Sequence, residues 1–73
     1  MGRVAVIGEE TAVAGYALAG VIVVPAEGDD AVHGAWSGLP DDVAVVILTP
    51  AAARALGDAR TAKLLPLTVV VPS

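Results

Sequence analysis

The sequence predicts an α/β protein built on a small, doubly wound sheet of four parallel strands with three helices. Four short, β-branched apolar runs alternate with helical segments along the 73 residues, and this alternation is typical of parallel strands joined by right-handed crossovers. The third run, residues 43–48, is apolar at every position. A strand of that kind is expected in the middle of a parallel sheet, where helices cover both faces.

The first half of the chain predicts two strands and one helix. Strand 1 covers residues 3–7, because a short β-branched run that ends at a glycine favours a buried strand. The acidic pair Glu9-Glu10 opens helix 1, where carboxylates cap the helix and complement its dipole, and the helix runs to about residue 19. Gly20 is suited to the left-handed conformation that closes a helix, so strand 2 follows directly at 21–24.

The second half of the chain repeats this arrangement. Helix 2 is capped by Asp29 or Asp30 and runs through Gly38. After strand 3, Thr49-Pro50 predicts an N-cap and a first helical position, since proline has no N–H to leave unpaired there. A glycine at position 57 breaks helix 3, a second helical stretch covers 58–65, and strand 4 covers 67–71. We expect the Rossmann-like or receiver-like strand order 2-1-3-4, with no helix covering the side of strand 4.

Composition limits what the chain can do. Its length allows one compact domain, residues 1–73, with little room for a deep substrate cavity. The net charge of −4 has the wrong sign for binding nucleic acid or an anionic membrane. There is no cysteine, and therefore no disulfide, thiolate nucleophile or cysteine-based metal site. The apolar runs are too short or too interrupted for a membrane span or a signal peptide, so we expect a soluble intracellular protein.

The turns after the strands lack the features that bind phosphate. A dinucleotide site needs a glycine-rich turn after strand 1, but the sequence there is Gly8-Glu9-Glu10-Thr11, and two carboxylates would repel a pyrophosphate. A receiver domain carries a phosphorylatable Asp after strand 3, whereas this chain has Thr49. We therefore expect no cofactor and no metal, and the two glutamates are interpreted as helix caps.

Other candidate residues also favour structural roles. His33 is the only histidine and is interpreted as a solvated helix residue, because it lacks the partners of a catalytic triad or metal site. The Asp29-Asp30 and Asp41-Asp42 pairs lie in turns, where aspartate satisfies local backbone amides. Trp36 is expected to be the main filler of a core otherwise made of small side chains. These residues predict no catalytic site.

Particular segments, rather than the fold, resemble a known family. They are Val4 to Thr11 (VAVIGEET), Gly15 to Val21 (GYALAGV), the strand end Ile47-Leu48-Thr49, and Leu65-Pro66-Leu67 through Val71-Pro72-Ser73. Together they resemble the F subunit of the rotary A-type and V-type ATPases, the A/V-type ATP synthases. The resemblance spans nearly the whole chain, with residues 25–42 carrying no clear family motif.

This resemblance implies a non-catalytic subunit of the central stalk, or rotor. Family members bind the stalk's coiled-coil D subunit and help couple ATP turnover to proton or sodium transport, on the cytoplasmic side and peripheral to the membrane. Members usually continue into a C-terminal helix that lies along the coiled coil, which these 73 residues do not include. The implied partner is thus a protein, with no nucleic acid, membrane insertion or small-molecule substrate.

We expect the partner to contact helix 1 and the end of strand 4. The candidate residues are Thr11, Gly15, Tyr16, Pro72 and Ser73. Each residue on helix 1 also has a structural interpretation: Gly15 as a packing residue, Tyr16 as a cover for the domain edge and Thr11 as a helix cap. The alternative function is a stand-alone receiver-like or small-ligand-binding α/β module, with a pocket near Gly8, Glu9, Thr11 and Thr49.

Overall fold

The computed structural model describes residues 2–62 and 66–72. The elements are β1 (Arg3–Gly8), α1 (Glu10–Val13), β2 (Ile22–Pro25), α2 (Asp29–Ser37), β3 (Val43–Leu48), α3 (Pro50–Leu56) and β4 (Leu67–Val70). All strand pairs are parallel and the sheet order is β2-β1-β3-β4. The predicted fold class, strand order and three helices are confirmed.

The boundaries of the first helix differ from the prediction. Only four residues of α1 are α-helical, and the chain continues as a 3₁₀-helix over Ala14–Ala19. Gly20 closes this segment in the left-handed conformation, with φ 76°, as predicted. Glycine at position 15 lowers α-helix propensity in so short a segment, where few intrahelical hydrogen bonds compensate.

The start of α2 also differs. Gly28, with φ 88°, occupies the N-cap position, and no side chain caps the helix. Asp29 and Asp30 lie in the first turn instead, where their charges complement the helix dipole. The expectation that one of them is the N-cap is therefore wrong. Beyond α3, a 3₁₀ segment covers Gly57–Thr61, and part of the predicted 58–65 stretch lies outside the described residues.

The core forms mainly on one face of the sheet. Side chains of β1 and β3, including Ala5, Ile7 and Leu48, pack there against α2 and α3. Val6 and Val13 are also buried but lie outside that cluster, because Val6 points to the opposite face, which α1 covers. Trp36 packs against the core without being fully buried, so the largest fully buried side chains are Ile7 and Leu48 instead.

An ion pair joins the two central strands at their amino ends. Arg3 Nε and Nη2 donate to the Asp42 carboxylate at 2.5 and 2.8 Å, and these bonds hold the pKa of Asp42 below its ordinary value. Both side chains are exposed. Within the described ranges, no helix has both the length and the apolar character needed to cross a bilayer.

Candidate functional site

The carboxyl ends of β1 and β3 form the crevice where sheets of this kind bind ligands. The two strands are neighbours in the sheet, but the chain leaves β1 for α1 on one face and leaves β3 for α3 on the other. Divergence of the two loops creates the topological switch point of the fold. The pocket predicted near Gly8, Glu9, Thr11 and Thr49 would lie here.

Thr49 joins the two loops at this switch point. Its side chain is only 3% exposed, and its hydroxyl donates to Glu9 Oε1 at 2.7 Å. Thr49 Oγ1 also accepts the backbone N–H of Ala52 at 3.3 Å, and this bond caps α3. The predicted N-cap is thus confirmed, and the threonine also holds the loop after β1.

Gly8 is required by the closeness of this threonine. A Cβ atom at position 8 would overlap the Thr49 methyl group and would lie 2.6 Å from its hydroxyl oxygen. Glycine therefore serves here for close approach rather than for backbone freedom. A threonine side chain thus occupies the space beside Gly8, where related folds bring a phosphate close to the backbone.

Glu9 has a different role from the one predicted. Its backbone carbonyl accepts the N–H groups of Ala12 and Val13 at 2.9 and 3.0 Å, but its side chain makes no capping bond. The carboxylate instead accepts the Thr49 hydroxyl, and this hydrogen bond, with help from its own backbone and the charge of Arg54, lowers the pKa of Glu9. The carboxylate is therefore charged at neutral pH and already has a hydrogen-bond donor.

The other polar candidates are dispersed. No group of three His, Asp or Glu side chains that could hold a metal ion occurs in the described part of the chain. Asp42 pairs with Arg3 rather than with local amides alone. His33 is exposed, as predicted, and its ring Nε2 lies 2.8 Å from the carbonyl oxygen of Ala55. Since a carbonyl only accepts, the ring donates, and the bond links α2 to α3.

The predicted partner-binding residues fall into two separate groups. Thr11 and Gly15 are exposed and Tyr16 is half-buried. All three lie on α1 or the 3₁₀-helix that follows it, together called the α1 segment, which packs on β1 and β2. Pro72 is exposed just past β4, at the far edge of the sheet. Ser73 lies outside the described residues. No side chain approaches within 4 Å of the Cβ position at Gly15, so packing within the described domain does not require glycine there.

An apolar area that no helix of the described residues covers lies between these two groups. The strand registers place Val6, Ile47 and Val69 in one row, on the face of the sheet that carries α1. Leu67 lies beside Val45 on the same face. Leu67 and Val69 are 58% and 52% exposed. We call Val45, Ile47, Leu67 and Val69 the β3–β4 strip. The sequence indicated it only through the expected absence of a covering helix, and these residues were not among the site candidates.

Comparison with known proteins identifies a family and a solved structure of similar fold. A model of the family of the ATP synthase (F/14-kDa) subunit matches residues 4–73. The crystal structure of the F subunit of the V-type ATP synthase from Archaeoglobus fulgidus is similar, with a TM-score of 0.68 and 26% sequence identity. That alignment covers 97% of this chain and 98% of the other. No curated protein matches the chain.

Proposed function

The chain belongs to the family of the ATP synthase (F/14-kDa) subunit, and we propose that it is the F subunit of a V-type ATP synthase. In this role it is a non-catalytic component of the central stalk that binds the coiled-coil D subunit. It helps to couple ATP turnover to the movement of protons or sodium ions, and it lies in the soluble sector, peripheral to the membrane on the cytoplasmic side.

The observation that carries this proposal is the filled crevice at the switch point. Thr49 lies against Gly8, and its hydroxyl is bonded to the Glu9 carboxylate. A nucleotide phosphate at this point would meet a carboxylate and a side chain instead of free backbone N–H groups. A domain of this fold without its usual ligand site is well suited to act through protein contacts. The same geometry argues against the alternative small-ligand module.

The proposed contact surface has two parts, one on the α1 side of the sheet and one at the end of β4. It comprises the α1 segment, with Thr11, Gly15 and Tyr16, and the end of β4 at Pro72, together with the neighbouring Ser73. The β3–β4 strip lies between these two groups, and burying its exposed side chains would add to the affinity. Gly15 would let a partner helix approach the α1 segment closely, since a Cβ there faces open space.

Size-exclusion chromatography of the 73-residue chain mixed with the coiled-coil D subunit tests the proposal. We expect the two proteins to elute together at a one-to-one ratio, earlier than either alone. If the two elute separately at high micromolar concentrations, the stalk assignment of the 73-residue domain is wrong.

A pair of variants tests the contact surface itself. Tyr16→Ala removes an aromatic ring from the proposed surface, and we expect it to weaken binding to the coiled-coil protein at least about tenfold, as for an interface anchor. His33→Ala removes a ring from α2, on the opposite face, and should leave the affinity unchanged. Circular dichroism checks that both variants are folded. Equal affinities for the two variants would remove Tyr16 from the interface.

A further inference from the structure

We propose that two copies of this chain pair through the outer edges of their β4 strands, antiparallel and around a twofold axis at Val69. The pairing joins the two four-stranded sheets into one. It concerns the edge of β4 rather than the sheet face proposed to bind the coiled coil, and it does not depend on that function.

The outer edge of β4 offers hydrogen-bonding groups that lack a partner within the described residues. β4 is the last strand of the sheet, and the N–H of Val71 donates to the carbonyl of Leu48 at 3.0 Å. Because successive residues of a strand point their backbone groups to alternate sides, Val69 and Val71 face β3 while Thr68 and Val70 face outward. No backbone bond from the described parts of the chain takes up the outward N–H groups.

These outward groups are complementary to a second copy of the same strand. When two β4 strands run antiparallel about Val69, Thr68 of each copy lies opposite Val70 of the other. Each such pair exchanges two backbone bonds, so the edge forms about four hydrogen bonds. Pro66 and Pro72 flank the strand and have no N–H to donate. They restrict the free edge to Thr68–Val70 and thereby fix the register.

The side chains of this edge favour association. Edge strands of soluble proteins usually carry charges that prevent pairing, but residues 66–72 contain none. Leu67, Val69 and Val70 are 58%, 52% and 39% exposed. In a chain with a net charge of −4, an uncharged edge is where two copies meet with the least repulsion.

The opposite edge of the sheet is less suited to the same pairing. Ala26 donates its N–H to the carbonyl of Gly8 at 2.8 Å, so the inward-facing positions of β2 are Ile22 and Val24, and the outward ones are Val23 and Pro25. Proline cannot donate to a ladder, which is why it marks unpaired edges. Since Pro25 leaves Val23 as the one outward N–H donor within β2, we assign the pairing to β4.

The small size of the edge sets the expected strength of the dimer. A stable protein interface buries about 800 Å² on each partner, and a four-residue strand with its neighbours covers less than that. We therefore expect a weak dimer that forms at high micromolar concentrations and dissociates on dilution.

Disulfide trapping tests the register, since the chain has no cysteine of its own. In the proposed pair, Val69 lies opposite Val69 of the second copy at a non-hydrogen-bonded position, with Cα atoms about 4.5 Å apart. This separation lies within the range of about 4.4–6.8 Å that a disulfide spans. Val69→Cys should therefore form a covalent dimer under mild oxidation.

Leu67→Cys is the matched control. Leu67 lies on the same strand and the same face and is slightly more exposed than Val69, but its counterpart in the second copy is displaced by about 13 Å along the strands. We expect cross-linking at position 69 to be at least about tenfold faster than at position 67, because only the former meets the geometry. Equal rates, faster reaction at position 67, or no dimer from either folded variant would overturn the proposal.

Charge complementation provides a second test that needs no covalent bond. Val69→Lys and Val69→Glu each place like charges at the twofold axis, so each variant alone should be monomeric by sedimentation equilibrium. An equimolar mixture should regain dimers, because opposite charges then face each other. Failure of the mixture to dimerise at concentrations where the unsubstituted chain does would exclude the proposed register. Neither test contains the coiled-coil partner, so the outcome is independent of the stalk assignment.

Discussion

At the residue scale, the contact between Gly8 and Thr49 determines what the carboxyl edge of the sheet can do. The two residues are far apart in the sequence but adjacent in the fold, and the side chain of one occupies the space left by the other. The Thr49 hydroxyl then bonds to Glu9 on one side and caps α3 on the other. A single buried hydroxyl thus holds both loops of the switch point.

We predict opposite effects of alanine at two glycines. Gly8→Ala forces a Cβ into the Thr49 side chain and should lower the free energy of unfolding by about 1–3 kcal/mol. Gly15→Ala faces open space and should raise it by about 0.5–1 kcal/mol through better helix propensity. Urea denaturation of the two variants and the unsubstituted chain measures both. Equal stability of the two variants would mean that the close approach at Gly8 does not exist.

A second residue-scale prediction concerns pH. The pKa of Glu9 is lowered by the Thr49 hydroxyl, so the folded state binds a proton less readily than the unfolded state. The resulting stability is complete above the ordinary pKa of glutamate and is lost as the pH falls through the lowered pKa. Thr49→Val removes the cause, so the free energy of unfolding should depend less on pH between about pH 5 and pH 3.

The same substitution should also lower stability at neutral pH, by about 1 kcal/mol, because α3 loses its cap. Thr49→Ser keeps the hydroxyl and is the control that should retain the pH dependence of the unsubstituted chain. The pKa of Asp42 is lowered by Arg3, so Asp42 adds a pH dependence of the same sign in every variant. The slope of the free energy of unfolding against pH should therefore become smaller in Thr49→Val without reaching zero. A slope unchanged in Thr49→Val would show that the bond to Glu9 contributes nothing.

At the scale of elements, the four strands differ in how well they are protected. β1 and β3 are central strands with a neighbour on each side, whereas β4 has one neighbour and three exposed apolar side chains. Local stability follows such differences in burial and hydrogen bonding. The outer strand is therefore the element most open to solvent and to association.

Hydrogen exchange should show an alternating pattern along β4. The amide protons of Val69 and Val71 point toward β3 and should exchange slowly, while those of Thr68 and Val70 point outward and should exchange rapidly in dilute solution. Amides of the central β3 should be the most protected. Residue-resolved NMR exchange measures the pattern, and uniform protection along β4 in dilute solution would contradict the assigned orientation.

Local sequence signals predicted most of the elements. The wholly apolar β3, Gly20 in a left-handed conformation and Thr49-Pro50 at the start of α3 each follow from the chemistry of a few consecutive residues.

The bond from Thr49 to Glu9 and that from His33 to Ala55 could not be predicted, because they join residues brought together only by the tertiary fold. Glu9 was misassigned for the same reason, since the tertiary partner competes with the local cap. Trp36 was placed too deeply because composition does not indicate where along the helix a face is covered.

At the scale of the whole molecule, the fold has the architecture of nucleotide-binding sheets with the ligand space filled. A ligand at a hundred times its dissociation constant stabilises a folded protein by about 2.7 kcal/mol, which for a domain of this size raises the melting temperature by roughly 10 °C or more. We expect the melting temperature to change by less than about 1 °C when Mg²⁺, ATP with Mg²⁺, or acetyl phosphate is added. A reproducible rise with any of them would favour the small-ligand module over the stalk role.

Pro25, at the outward position of β2, has a consequence for the fate of the protein at high concentration. A sheet with two receptive edges can add molecules at both ends, and such growth has no natural limit. Here the proposed pairing uses one end of the sheet, and at the other end Pro25 removes one of the outward donors of β2. Fewer donors at that end favour an assembly that stops at two molecules over open-ended fibre formation by a chain this rich in valine.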